Sequence, residues 1–113
     1  AAAVLDLAAG GIIAYVQVAV LLAERPAQAF GLGDRKGRIA VGLDADLVLV
    51  DPEATLRVTP EVIRSRAGRS PFEGMTLRGR PVLTVLRGEV IAEDGKIVVD
   101  RPRGRFLRRA RAS

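Results

Sequence analysis

Cysteine and histidine are both absent from the 113 residues of this chain. Without cysteine there can be no disulfide, no thiolate metal site and no cysteine nucleophile, and the composition is compatible with a reducing cytoplasm. Histidine is the commonest general base near neutral pH and the commonest transition-metal ligand, so its absence excludes serine triads and histidine-based zinc sites. We therefore expect no catalytic, no cofactor-binding and no metal-binding residue in this chain.

Aromatic residues are also scarce, and tryptophan is missing altogether. A core must be built from aliphatic side chains, which the sequence has in quantity, since 49% of its residues are hydrophobic and 27% are charged. This balance is typical of a chain that folds rather than of a disordered tail, and the length suits one domain. The aromatic residues are Tyr15, Phe30, Phe72 and Phe106.

The net charge of +5 is unevenly distributed along the chain. Asp6 and Glu24 are the only charged residues among the first 24, whereas residues 101–113 contain six arginines and no acid. A basic tail can meet nucleic acid or an acidic surface. A tail alone meets only the first criterion for a nucleic-acid-binding protein, so nucleic acid is not the expected partner.

The amino-terminal half contains an apolar run at residues 12–23, but Gln17 and the glycine pair before it interrupt the length that a membrane span requires. No basic segment precedes the run, so we expect neither a secretory signal nor a membrane partner, and we expect a cytoplasmic location. The chain begins Ala1-Ala2-Ala3 without methionine, which suggests a piece of a longer polypeptide.

The hydrophobic pattern predicts an α+β organisation, helices first and strands afterwards. We predict helices at 1–9 and 12–24, a further helical turn from Pro26 to Phe30, a helical turn at 60–63 and a loop at 64–74. A hairpin turn is predicted at Asp94-Gly95. Residues 100–113 are expected to be extended and solvated. The six predicted strands cover residues 38–41, 47–50, 55–58, 81–87, 90–93 and 96–99.

Three acidic residues stand in loops where a functional role has to be weighed against a structural one. Asp44 and Asp46 follow Gly42, and we expect their carboxylates to bind nearby backbone N–H groups and fix a tight turn. Two carboxylates two residues apart can also share a cation, but no further ligand completes such a site. Glu73 lies in the loop 70–74 and is expected to be solvated, while Phe72 beside it is expected to plug the sheet.

Several segments, taken in order, resemble the carboxy-terminal part of the cyclic amidohydrolases, the family of dihydroorotases, allantoinases and hydantoinases. The similarity extends from about residue 11 to residue 107. The segments are RPAQAFGL at 25–32, KGRIAVGLDADLVLVD at 36–51, SPFEG at 70–74, LRG at 77–79, VLTVLRG at 82–88 and GRFL at 104–107.

The resemblance implies a fold in which a TIM-like barrel carries a small β-sandwich built from both ends of the polypeptide. Residues 1–35 would be the last helical part of the barrel, residues 36–100 the carboxy-terminal share of the sandwich, and residues 101–113 an extended basic tail. It also implies one or two divalent metals, usually zinc, held by a His-x-His pair, a carboxylated lysine, two further histidines and an aspartate. All of these ligands would lie before Ala1, so the chain alone is expected to be inactive.

As to substrate, the resemblance implies hydrolysis of a cyclic amide, with dihydroorotate preferred, which would belong to pyrimidine biosynthesis, and allantoin or a hydantoin next. The expected partners are the missing amino-terminal part of the parent enzyme and further copies of the chain. Exposed sheet edges should make the isolated chain oligomeric or poorly soluble. Two alternatives stay open, namely a stand-alone β-rich interaction module and a nucleic-acid binder acting through residues 101–111.

The sequence departs from the family pattern at three positions. Arg25 stands where the family usually has asparagine, and Val16 and Val20 stand on the second helix where polar residues are expected. An exposed apolar face on that helix would indicate either a partner surface or a sequence drifting away from selection.

Overall fold

The computed structural model describes residues 1–109, in which the helices precede a single antiparallel sheet. Helix α1 spans Ala2–Ala9, α2 spans Tyr15–Ala19 and α3 spans Arg25–Ala29. A π-helical turn, Val20–Glu24, joins α2 to α3. The α+β organisation predicted from the sequence is therefore present.

Helix α1 forms where alanine, the best helix former, is concentrated, and it ends at the glycine pair. The N–H of Gly10 bonds to the carbonyl of Asp6, and the N–H of Gly11 bonds to that of Ala8. Helix α2 begins after Ala14, whose N–H is bound by the side-chain oxygen of Gln17 at 2.8 Å. The predicted separate turn at 26–30 is instead the end of one helical path that runs from Tyr15 to Ala29. Because Pro26 lacks an N–H and its ring crowds the preceding turn, the wider π-helical turn before it allows the helix to continue.

The sheet contains four strands in the order β1-β2-β3-β4. They are β1 Leu47–Arg57, β2 Thr76–Leu86, β3 Glu89–Glu93 and β4 Lys96–Ile97. The predicted helical turn is present as a short 3-10 helix, Pro60–Val62. The turn at Asp94-Gly95 is present as predicted, with both residues at positive φ, and Arg87-Gly88 makes a second turn of the same kind.

Strand β1 continues through Pro52, which lies between the strands predicted at 47–50 and 55–58. The carboxylate of Asp51 accepts hydrogen bonds from the N–H groups of Glu53 and Ala54, at 2.9 and 3.2 Å. The register with β2 shifts between Asp51 and Thr55, so a bulge takes up Pro52 on an edge strand. The two strands predicted at 47–50 and 55–58 are therefore one.

The strand predicted at residues 38–41 is absent, and this prediction was wrong. The segment is apolar, but within the described residues no strand pairs with it, and a strand without a neighbour leaves its backbone groups unbonded. Ile39 and Val41 are consequently 88% and 106% exposed. The last strand is also shorter than the predicted 96–99.

The core is small and lies between α1 and β2. Leu5, Ala8 and Val18 form its buried cluster, and Leu77 of β2 is only 3% exposed. Gly79, also in β2, lets this packing occur, because a Cβ at its position would lie 3.1 Å from the carbonyl oxygen of Leu5. The radius of gyration is 15.3 Å, whereas a compact domain of this length has a radius of about 13 Å. The fold is thus more open than its length requires.

Within residues 1–109, no helix combines the length and the hydropathy needed to cross a membrane.

Candidate functional site

The most interconnected charged group joins the loop after α3 to the start of β1. Lys36 lies between Asp44 and Asp46, and we call these three residues the Lys36 cluster. The ammonium of Lys36 is 2.8 Å from Asp44 Oδ2 and also contacts Asp46 Oδ2. Arg35 reaches Asp44 Oδ2 at 3.2 Å from the solvent side. The Lys36 side chain is 17% exposed, so its ion pairs with the two aspartates are shielded from much of the solvent screening that weakens surface ion pairs.

The cluster also binds the turn between β2 and β3. Asp46 Oδ1 accepts a hydrogen bond from the N–H of Arg87 at 2.9 Å, and the carbonyl of Ala45 accepts one from Gly88 at 3.0 Å. The carboxylates were expected to bond nearby backbone N–H groups, whereas Asp46 bonds the N–H of a residue 41 positions away. Its role is to hold the loop after α3 against the sheet.

The charges of the cluster stabilise one another. The hydrogen bond from Lys36 holds the pKa of Asp44 below its ordinary value of 3.8. Partial burial acts to raise the pKa of Asp46, but the hydrogen bonds from Lys36 and from the Arg87 N–H outweigh it, and the pKa is lowered. Burial likewise acts to lower the pKa of Lys36, but its bonds to the two aspartates raise it above 10.5. All three groups are therefore charged at neutral pH.

This arrangement suits positioning and not catalysis. A carboxylate with a lowered pKa is a weak base, and the oxygens of Asp44 and Asp46 already accept bonds from Lys36, Arg35 and Arg87. A divalent metal would have to displace an ammonium group. No group of three potential ligands occurs within residues 1–109, and the chain has neither histidine nor cysteine, so these residues do not fit the zinc centre that the resemblance implies.

An open groove of about 490 Å³ runs beside the cluster, between the helical path and β1. Its walls are largely apolar, and the exposed side chains of Phe30, Ile39 and Val48 contribute to it. Further along the same helical path Val16 is 74% exposed and Val20 is half-buried. Of the two valines expected on an exposed apolar face, Val16 is therefore exposed and Val20 is partly covered, and neither lines the groove.

The loop at residues 70–74 does not seal the sheet. Phe72 is 42% exposed and lies at the edge of a shallow surface groove, so the expectation that it plugs the sheet was wrong. The loop is shaped locally, since Ser70 Oγ accepts a hydrogen bond from the N–H of Phe72 at 3.2 Å. Glu73 is exposed, as expected for a solvated acid.

The described part of the basic tail, residues 101–109, contains neither helix nor strand but is bonded to the sheet. Arg103 Nε is 2.6 Å from Glu89 Oε1, and its Nη2 is 3.2 Å from Asp100 Oδ1. The guanidinium of Arg87 donates to the carbonyl of Arg103. Sequence reasoning missed this anchor, although arginine at every second position of residues 101–105 was a signal for it. Arg111 and the other residues after 109 lie outside the described part.

Comparison with known proteins identifies relatives over most of the chain. Residues 13–92 match the model of a family described as the amidohydrolase family. A D-hydantoinase of Ralstonia pickettii is 41% identical over 99 residues, which cover 88% of this chain and 22% of that protein. A dihydroorotase of Methanothermobacter thermautotrophicus is 39% identical over 94 residues, which cover 83% of this chain and 22% of that protein.

A solved structure of a D-hydantoinase is similar in three dimensions. It aligns with a TM-score of 0.82 and 39% sequence identity over 92% of this chain and 23% of that one. The chain thus spans about a fifth of the length of the curated relatives it matches.

Proposed function

This chain belongs to the amidohydrolase family, as the sequence resemblance indicated, and on that premise we propose that the polypeptide of which it forms part hydrolyses a cyclic amide. In this reaction water adds to a ring carbonyl and the ring C–N bond breaks. The carbonyl carbon becomes a carboxylate, and the ring nitrogen gains a proton. The observation that supports the proposal is an identity of about 40% to hydantoinases and to a dihydroorotase over most of the chain.

We propose a hydantoin or a related cyclic ureide as the first substrate class, and dihydroorotate as the second. The sequence alone favoured dihydroorotate, but relatives named as hydantoinases are prominent among the similar proteins, in sequence and in structure. Both substrate classes present an amide C–N bond within a ring, so one reaction serves both.

In this proposal the chain supplies structure to the enzyme and the metal centre lies in other residues. When bound, a divalent metal would polarise the carbonyl and activate water. Residues 1–35 would belong to the last helical part of the barrel, residues 36–100 to the sandwich and residues 101–113 to a basic tail. Arg35, at the end of the barrel part, would then be tied to the sandwich through Asp44, while Asp46 of the Lys36 cluster holds the same loop to the β2–β3 turn.

The exposed apolar surface favours the proposal that a partner covers it. The groove beside β1 and the outer side of α2 expose Phe30, Ile39 and Val16, which a chain folded alone leaves in water. We propose that the rest of the parent polypeptide covers this surface in the enzyme, in the cytoplasm, and that further copies cover it when the chain is isolated. Sizing at micromolar concentration should therefore give an assembly larger than a monomer, and a sharp monomer peak would contradict this.

A chimera tests the structural role directly. The 99 matched residues of the Ralstonia pickettii D-hydantoinase would be replaced by those of this chain, and ring opening of hydantoin followed with zinc content. We expect a soluble chimera that retains metal and turnover, and a weaker one when Asp46→Ala is added. A folded chimera that binds metal but does not turn over would refute the structural equivalence.

The isolated chain provides the complementary test. With added zinc it should open neither hydantoin nor dihydroorotate and should retain less than one equivalent of metal after dialysis. Turnover by the chain alone would show that the metal centre is not located in other residues.

A separate assay decides between the two substrate classes. The polypeptide encoded by the reading frame extended upstream would be tested with hydantoin and with dihydroorotate.

A further inference from the structure

The basic tail forms one wall of a second concave surface. Arg87 lines this surface, and its N–H bonds Asp46 of the Lys36 cluster. This surface has a volume of about 400 Å³ and lies between the β2–β3 turn and residues 101–105. Four arginines line it, and we call it the arginine cleft. They are Arg87, Arg101, Arg103 and Arg105.

The three tail arginines share the cleft because one short segment forms its wall. Residues 101–105 all line it, together with Arg87 and Glu89. Arg103 is the fixed member, since its guanidinium bonds Glu89, Asp100 and the carbonyl of Arg101. The side chains on either side of it are therefore presented on a defined backbone.

The charges in the cleft do not cancel. Four guanidinium groups face two carboxylates, those of Glu89 and Asp100, and both carboxylates are bonded to Arg103. Within residues 1–109, neither Arg101 nor Arg105 takes part in an ion pair. The cleft thus carries two positive charges beyond those its acids neutralise.

We propose that the arginine cleft is a binding site for a phosphate dianion, either inorganic phosphate or a phosphate monoester. A phosphate monoester carries between one and a half and two negative charges at neutral pH, which matches the excess charge of the cleft. One guanidinium group can donate hydrogen bonds to two phosphate oxygens at once. Arg101 and Arg105 are exposed and flank the fixed Arg103, so both can approach the same ligand. A single carboxylate would leave one positive charge uncompensated. The site does not depend on the amidohydrolase reaction.

The test is a titration of the full 113-residue chain with inorganic phosphate at pH 7.5 and constant ionic strength, monitored by backbone amide NMR shifts. We expect saturable shifts of the backbone amides at residues 87–89, 101 and 103–105. The double variant Arg101→Ala/Arg105→Ala should bind about tenfold or more weakly, since it loses charge-assisted hydrogen bonds. The matched control Arg66→Ala/Arg69→Ala removes two exposed arginines from the 64–74 loop and should bind within about twofold of the parent.

Two further arms keep the test decisive if the alanine variant folds poorly. Arg101→Lys/Arg105→Lys retains the charge but removes the paired donors, so it should bind phosphate less tightly than the parent while keeping its fold. Lowering the pH to 5.5 should weaken binding several-fold, because phosphate becomes a monoanion while arginine stays charged.

Three outcomes would overturn the proposal. One is unchanged affinity in both Arg101/Arg105 double variants, and another is equal binding of acetate at the same ionic strength. The third is much tighter binding of duplex DNA with a steep dependence on salt, which would identify the tail as a surface for extended polyanions.

Discussion

Gly37 provides a sharp test of how the helical path is held against the loop that follows it. Its φ is +102°, and a Cβ at its position would lie 2.7 Å from the Cβ of Ala27 and 3.1 Å from the carbonyl oxygen of Ala23. Replacement by alanine therefore introduces two separate penalties, one in the backbone and one in the packing against a buried helix residue.

The two penalties have different sizes and different controls. A residue with a Cβ at positive φ costs about 1–2 kcal/mol, and an extra methyl group forced into a packed contact costs about 1–3 kcal/mol. Gly37→Ala is thus expected to lower the free energy of unfolding by about 2–5 kcal/mol. Gly42 has a φ of +91° and open space around it, so Gly42→Ala carries only the backbone penalty.

The assay is urea unfolding of the two variants and the parent chain, followed by circular dichroism. Gly37→Ala should be less stable than Gly42→Ala by about 1–3 kcal/mol, and the effect of alanine on the unfolded chain cancels in this difference. Adding Ala27→Gly to Gly37→Ala should restore part of the loss, because the nearest contact disappears. Equal stability of Gly37→Ala and Gly42→Ala would refute the close packing of loop and helix.

Three further predictions concern the Lys36 cluster and the core. Asp46→Ala should destabilise the chain by about 2 kcal/mol in urea unfolding, since it removes the acceptor for Lys36 and Arg87, and Asp46→Asn should cost less because its oxygen still accepts the Arg87 N–H. The lowered pKa values of Asp44 and Asp46 mean that their stabilisation is fully present above 3.8 and is lost as the pH falls through the folded values. The raised pKa of Lys36 means that its contribution is fully present below 10.5 and is lost as the pH rises through its folded value. Unfolding midpoints measured against pH should show both losses, and the gap between the parent and Asp46→Ala should narrow at the acid end; a constant gap would argue against the ion pair. Leu77→Ala should cost about 3 kcal/mol because the side chain is buried against α1, and a cost below 1 kcal/mol would place the core elsewhere.

The first helix and the hairpin turn were predicted correctly because local forces determine them. Alanine in α1 and the glycine pair after it specify a helix and its end. Asp94-Gly95 adopts the positive φ values of a tight hairpin whatever surrounds it. The family was also recognisable from short segments in order, because those segments carry turn residues and strand patterns at fixed separations.

Three of the failures involve partners that are distant in the sequence. The apolar pattern at residues 38–41 predicts a strand, but a strand exists only when another strand bonds to it, and among the described residues none does. Pro52 lies between two segments predicted as separate strands, and only the register of the pair shows that an edge bulge takes it up. Arg103 was placed in a solvated tail, although Glu89 binds it from the β2–β3 turn.

The two absent residue types thus determined by themselves that no histidine or cysteine chemistry belongs to this chain, since a functional group that is missing from the composition cannot be supplied by folding. The tertiary structure alone decided which partners the charged residues bond. Asp44, Asp46 and Lys36 are close enough in sequence to meet, but the bond from Asp46 to Arg87 and the four arginines of the cleft depend on strands and turns brought together by the sheet. Local sequence specifies backbone shape, and long-range packing selects which charges become neighbours.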